Sequence, residues 1–313
     1  MTTQSSVTRP VPSKRLSVPI DEREPSLLRL FFLDFIRSKT AVVGLIVITS
    51  IIVAVVLAPV IAPQDPYDLS QLNILDGRLP PGSVGVDGNY YLLGTDGQGR
   101  DMLSGILFGL QTSLLVGVGS AFVAAIIGSI LGLLAAYFGG IVETLVMRFV
   151  DLQLSFPTIL TGLMILAVMG KGIVNVILAL IIVEWAIYAR TARASALAER
   201  RREYIEAAET LALPKWRIVL RHLLPNCIPA LIVIATIQIA HAIAFEATLS
   251  FLGLGVPITE PSLGLLVANG YRYMLSGDYW ISFLPGLALL ITIVSINLVG
   301  DHLRDILNPK NKR

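Results

Sequence analysis

The sequence predicts an all-α integral membrane protein with six transmembrane helices, and three observations carry that prediction. Charged residues make up only 15% of the 313-residue chain, where a soluble domain carries about 25%. Hydrophobic residues reach 54% and the mean hydropathy is +0.74. Residues 41–62, AVVGLIVITSIIVAVVLAPVIA, contain no charge, and about 20 apolar residues suffice to cross a bilayer's hydrocarbon core. This composition excludes a soluble enzyme and a disordered chain. The balance of 24 Lys+Arg against 22 Asp+Glu offers no bulk charge for nucleic acid. The single cysteine, Cys227, excludes an internal disulfide and a multi-cysteine metal cluster. It reads as a small buried residue.

The first span is too long for a signal-peptide core and follows a mostly polar stretch, so it reads as retained. Further spans are predicted near 112–138, within 144–169, and near 173–189, 228–252 and 281–300. The third is weakest, because Arg148 and Asp151 lie in its first turns and Pro157 interrupts it. Those two charges, three residues apart, are expected to pair. The six-helix domain is placed at 41–303. A cytoplasmic tail, 1–40, precedes it and ends in an interfacial helix, SLLRLFFLDFIRSK (26–39). A short tail, 304–313, follows.

Six spans put both termini on one side. With the termini inside, only Arg78, Arg100, Lys171 and Arg272 of the 24 Lys and Arg fall outside. The positive-inside rule therefore places both termini in the cytoplasm. The outer loop 63–110 is rich in Gly, Pro and Asp and long enough to be a small ordered cap or a docking surface. The second outer loop, near 253–280, holds Tyr271, Tyr273, Tyr279 and Trp280. They fit an interfacial aromatic belt or a contact surface for an outer partner. In the second span, Ser113, Gly117, Ser120, Ala124, Gly128 and Gly132 recur every three or four residues. They trace one helix side and permit close packing in lipid.

Between spans four and five the loop 190–227 is long, basic and helix-prone. Pro214 is expected to end a helix near Leu213, and a second helix, 215–224, to return to the membrane. Within the loop, Glu206-Ala207-Ala208 is followed by Ala212, then by Leu224-Pro225. This resembles the EAA loop of ATP-binding-cassette (ABC) importer permeases, where a Gly stands at the position of Ala212 and often an Ile at that of His222. The wider string REYIEAAETLALPKWRIVLRHLLPN is similar to the dipeptide/oligopeptide branch. So, in order, are LLGTDGQGRDMLSGILFG, FPTILTGLMILAVMG, SFLGLGV and FLPGLALLITIVSINLVGDHLRDILNPK. The resemblance covers roughly 26–310 and points to a C-type permease subunit.

That resemblance implies the type I ABC-importer permease fold and a bacterial or archaeal cytoplasmic (inner) membrane. It implies a homologous second permease subunit, two ABC ATPase subunits and an extracytoplasmic solute-binding protein as partners. ATP and Mg would be bound by the ATPases, with no cofactor in this chain. No G-x-x-x-x-G-K-[ST] loop occurs, so ATP hydrolysis must be borrowed and the chain is not an enzyme. The helix near 206–213 would dock in a groove of the ATPase, with Tyr204, Ile205, Glu206, Ala207, Ala208, Leu211, Ala212, Leu224 and Pro225 as coupling residues. Resting on anionic lipid is the alternative for this basic loop. Ala212, lacking glycine's freedom, suggests a more continuous helix. Substrates in such a family include dipeptides, oligopeptides, glutathione-like compounds, opines and nickel.

Several polar residues fall inside spans. A charge at a helix centre costs roughly 2.5–3.5 kcal/mol, and each Leu, Ile or Val returns about 0.3–0.6. Span four therefore tolerates Glu184, as a pathway group or as a partner for a neighbouring helix. On span five, Gln238, His241, Phe245 and Thr248 fall within roughly an 80° arc, with Glu246 to one side. This face is expected to line a translocation route, His241 being alternatively bonded to a neighbour. A stand-alone secondary transporter is the competing class, but it favours inverted repeats, and none is evident.

Overall fold

The computed structural model describes residues 34–307 except 67 and 258. The tail 1–33, the last residues 308–313, and most of the interfacial helix expected at 26–39 lie outside the described residues. Ser38 opens the first span, α1 (Lys39–Val56), its hydroxyl accepting the Ala41 N–H. Then come α2 (Met102–Phe138), α3 (Gly140–Ser155), α4 (Thr158–Met169), α5 (Ile173–Arg200) and α6 (Glu203–Thr210). The chain continues through α7 (Leu224–Phe251), α8 (Leu263–Tyr271) and α9 (Trp280–Leu307).

Five helices are long and apolar enough to cross a membrane, the fourth of them running unbroken in this sense from Lys215 to Phe251. The pair α3 and α4 passes the same test only jointly and is bent by 94°, which makes six spans when it is counted as one broken span. The interruption expected at Pro157 is thus a sharp bend. Phe156 before Pro157 is extended, at ψ 141, as the proline ring requires of its predecessor. Twelve residues of α4 rise about 18 Å, too little to cross the bilayer alone. Asn175 Nδ2 donates to the Met169 and Gly170 carbonyls and so satisfies the end of α4. The expected Arg148–Asp151 pair is also corrected. Asp151 instead takes Arg190 of α5 at 2.8 Å, and Glu143 takes Arg193. Pairing across helices pins α3 against α5.

The small residues of α2 explain the tightest contact. Ser113, Gly117, Ser120, Ala124, Gly128 and Gly132 are all buried. A Cβ at Gly128 would overlap the Trp185 carbonyl oxygen, and one at Gly132 the Ala189 carbonyl oxygen. The α2 backbone therefore lies directly on that of α5. A second layer forms where Val55 of α1, Ile106 and Leu110 of α2, and Leu263 and Leu266 of α8 pack together.

One end of the bundle carries an ordered cap. Its two-stranded hairpin, β1 (Ser83–Val84) and β2 (Tyr90–Tyr91), pairs Ser83 with Tyr91 and Val84 with Tyr90. Asp76 is its buried centre, accepting the Val86 N–H at 2.8 Å and the Tyr91 hydroxyl at 3.0 Å. Burial and that carboxylate push the Tyr91 phenol up to about 12. A raised phenol stabilises the fold below the ordinary value near 10, and this contribution is lost as pH rises through about 12. Trp280 Nε1 donates to the Thr95 carbonyl, Arg78 pairs with Asp278, and the Arg78 guanidinium lies over the Tyr273 ring. Trp280 at the start of α9 and Tyr273 in the turn before it thus hold the cap, whereas Tyr271 and Tyr279 are exposed.

The α2–α5 contact predicts a contrast. Gly132→Val should destabilise the protein by about 1–3 kcal/mol or more through overpacking. Gly119→Ala, with open space around its site, should stabilise by about 0.8–1 kcal/mol through helix propensity. Thermal unfolding of the detergent-solubilised protein reads both.

Candidate functional site: the loop 190–227 and one face of α7

The loop 190–227 grows out of α5, which runs on to Arg200 as a single helix. Arg202 is extended and starts the short α6 on a new axis. Ile205 and Ala208, one helical turn apart, are buried, at 0% and 4% exposure. They enter a core made by Leu133 and Tyr137 of α2, Ala196 of α5, and Ile218, Leu223 and Cys227 of the return segment. Three elements therefore hold α6 from below.

Polar contacts add to this. The Tyr204 hydroxyl donates to Glu199 Oε2 at 2.9 Å and accepts from Asn226 Nδ2 at 3.1 Å. It ties the end of α5 to the start of α7. Burial, then the Glu199 carboxylate, raises its phenol above the ordinary value. Arg200 Nη1 donates to the Ala136 carbonyl, closing the end of α2. Glu199 and Asn226 were not singled out from sequence, and Arg200 only as one of three cations, with Arg201 and Arg202, that could face anionic lipid. The only available signal is their place at helix ends, where orphan carbonyls seek donors.

The helix does not continue through Ala212. Its φ is +54°, in the left-handed region. The Leu213 N–H reaches the Ala208 carbonyl and the Ala212 N–H that of Glu209, which is the Schellman ending usually built on glycine. Pro214 is the physical reason for the correction. It bars Leu213 from the helical region, so the chain must turn one residue earlier. After Pro214 come one turn, Lys215–Arg217, and a wide π-helical turn, Ile218–Leu223. Pro225 and Pro229 cannot donate to the Arg221 and Pro225 carbonyls, and the π turn re-spaces the ladder there. Leu224 is half-buried and Pro225 exposed.

The opposite side of α6 is free. Glu203, Glu206, Ala207 and Thr210 are exposed, and Leu211 projects with 75% exposure. Around this acidic, leucine-tipped knob lie the exposed cations Arg201, Arg202, Lys215 and Arg217.

On α7 the outward stripe at helical spacing is Ile237, His241 and Phe251, which are exposed, with Ala244 and Thr248 half-buried between them. His241 and Thr248 lie on it. Gln238, Phe245 and Glu246 do not, nor does Glu184 of α5; all four are buried in the chain. This corrects the expected pathway face, because an 80° arc straddles the boundary between the exposed stripe and the packed side. Phe245 packs with Val116, Leu166 and Leu180. Glu246 accepts from the Ser113 hydroxyl at 2.8 Å and the Ser250 hydroxyl at 2.7 Å, joining α2 to α7. Glu184 Oε1 lies 3.4 Å from His241 Nδ1, and Thr248 donates to its own Ala244 carbonyl. Ile237, Ala244 and Phe251 complete the stripe. Their apolar character hid them in a span read for polar residues.

The comparisons with known proteins bear on this arrangement. A family model described as "Binding-protein-dependent transport system inner membrane component" matches residues 124–313. One described as "N-terminal TM domain of oligopeptide transport permease C" matches 26–81. The chain is 37% identical to the di/tripeptide transport system permease protein DppC of Pseudomonas aeruginosa (strain UCBPP-PA14), over 92% of this chain and 94% of that one. It is 34% identical to the dipeptide transport system permease protein DppC of Haemophilus influenzae, over 91% and 96%. An inward-facing structure of the MetNI methionine ABC transporter aligns with TM-score 0.55 and 21% identity, over 66% of this chain and 98% of that chain, and shares the fold.

The strained ending of α6 predicts that Ala212→Gly stabilises the 203–213 segment by about 1 kcal/mol, relieving a left-handed L-residue. Ala212→Val should do the reverse. Hydrogen exchange of the amides of 211–213 distinguishes them.

Proposed function

The chain belongs to the binding-protein-dependent transport system inner membrane component family, and on that premise we propose that it is one permease half of an ABC importer for di- or oligopeptides. It is a multi-pass inner-membrane protein and does not itself hydrolyse ATP. A stand-alone transporter has no support beside relatives named as permease proteins of transport systems. In this reading it pairs with a homologous permease, two ATPase subunits that bind ATP and Mg, and an extracytoplasmic solute-binding protein. Both termini and the loop 190–227 face the cytoplasm, and the cap faces outward. The distribution of Lys and Arg supports that orientation.

One observation carries the reading. A short helix is anchored on one side by Ile205 and Ala208 and free on the other at Glu206, Ala207 and Leu211. A part built in this way transmits rigid-body motion. The ATPase pushes the exposed knob, and the buried side passes the displacement to α2, α5 and α7. Tyr204 and the Leu224-Pro225 entry keep the segment in register with α7. Ala212 sets the turn that points Leu211 outward. The α7 stripe then faces the route between the two permeases, with His241 and Thr248 as its polar members. Glu184 orients His241 from behind, while Gln238, Phe245 and Glu246 hold the stripe's back.

Two tests follow. Glu206→Lys should reduce peptide uptake at least about tenfold, the effect of losing one hydrogen bond to a charged group of about 1.5–3 kcal/mol, with unchanged membrane insertion. Uptake at the parental rate counts against the docking role. In the assembled importer, cysteines at His241 and Thr248 should react with a water-soluble thiol reagent in at least one nucleotide state. Cysteines at Gln238 and Phe245 should stay protected. Equal labelling of all four removes the stripe as the pathway.

A further inference from the structure

Beside the coupling segment runs an apolar groove of about 610 Å³, walled by Phe122, Ile126 and Ile130 of α2 and by Val219, Leu220 and Leu231 opposite. It lies along the membrane-spanning part of α2. At its end it opens into a second, polar pocket of about 360 Å³, sharing Phe138 and Lys215 and adding Arg200, Glu209 and Tyr137. The combined volume lies within the usual range of ligand sites. We propose that this composite groove binds one anionic glycerophospholipid, an acyl chain in the apolar part and the phosphodiester between Arg200 and Lys215.

The order of chemistry along the groove carries the argument. Hydrocarbon-lined walls along α2 give way to charged groups at its Phe138 end, which is the order of tail and headgroup in a lipid. The exposed Trp216 sits beside Lys215, an amphipathic ring at the level interfacial tryptophans favour. The head pocket holds two cations and one carboxylate, a net charge of +1 that matches a monoanionic head. Arg200 spends one N–H on the Ala136 carbonyl and keeps others for a phosphate, since guanidinium carries five. Glu209 disfavours a second negative charge and accepts hydrogen bonds from head hydroxyls. Phosphatidylglycerol has both features, one negative charge and a glycerol head. One groove wall is the π turn that links α6 to α7, so the lipid braces the coupling segment against α2.

The test uses the assembled importer in nanodiscs doped with phosphatidylglycerol bearing a diazirine in its acyl chain. After irradiation, label should map to 122–134 and 219–231. Excess phosphatidylglycerol should compete it away, and phosphatidylethanolamine should not. Arg200→Gln with Lys215→Gln should weaken the labelling about thirtyfold, from roughly 1 kcal/mol per basic residue near an anionic surface. Ser129→Phe, which fills the groove floor, should abolish it with the head pocket intact. Labelling spread over all lipid-facing helices, or equal competition by both lipids, overturns the proposal. So does a photo-crosslinker at Ser129 that captures the second permease or this chain's own N-terminal segment.

Discussion

The backbone-to-backbone contact of α2 with α5 is the constraint from which the rest follows. Lipid tails supply no hydrophobic drive for two apolar helices to associate, so their attraction comes from close packing. Gly128 and Gly132 allow that approach because a methyl group at either would strike a carbonyl of α5. Both helices outrun the bilayer. At 37 residues α2 is about 55 Å long, and α5 extends to Arg200. Their shared end, with Leu133, Tyr137 and Ala196, is the shelf on which α6 sits. A rigid pair inside the membrane thus presents a rigid shelf outside it.

The charges of the bundle follow the same logic. Arg190 and Arg193 of α5 tie down α3, whose own proline break would otherwise leave it loosely held. Glu246 is buried but surrounded by serine hydroxyls from α2 and its own helix. A buried acceptor with such donors fixes helix positions and does not need a solute as partner. His241 differs. It stands on the exposed side of α7 with Glu184 behind it, so its ring is oriented from within the chain and presented outward.

Much of this was legible in the sequence. Uncharged runs of about 20 residues locate spans because backbone groups in lipid must bond within a helix. Pro214 correctly marks the end of α6, because a missing N–H is a local fact. The short helix before Pro214 was legible through helix propensity, but its coupling residues were implied only by the family resemblance, and Ile205 and Ala208 among them turn inward. What failed was non-local, apart from the turn at Ala212. The break at Pro157 was expected, but its 94° angle was not, and α4 past it lies against α5 and α7. Asp151 chose Arg190, 39 residues away, over a neighbour three residues off. Ala212 reads as a helix former by propensity, yet the following proline outweighs that preference. On α7 Gln238, His241, Phe245, Thr248 and Glu246 looked like one pathway face, because burial is decided by which helices pack on which side.

The central claim is that α6 works as a lever because its buried side is fixed. Ile205→Ala tests it directly in proteoliposomes of the whole importer, by counting peptides transported per ATP hydrolysed. Losing this buried side chain costs about 2–5 kcal/mol at the site and leaves the exposed face unaltered. The account predicts ATP hydrolysis near the parental rate with far fewer peptides moved per ATP. An unchanged ratio, with the variant intact in the membrane, would contradict it.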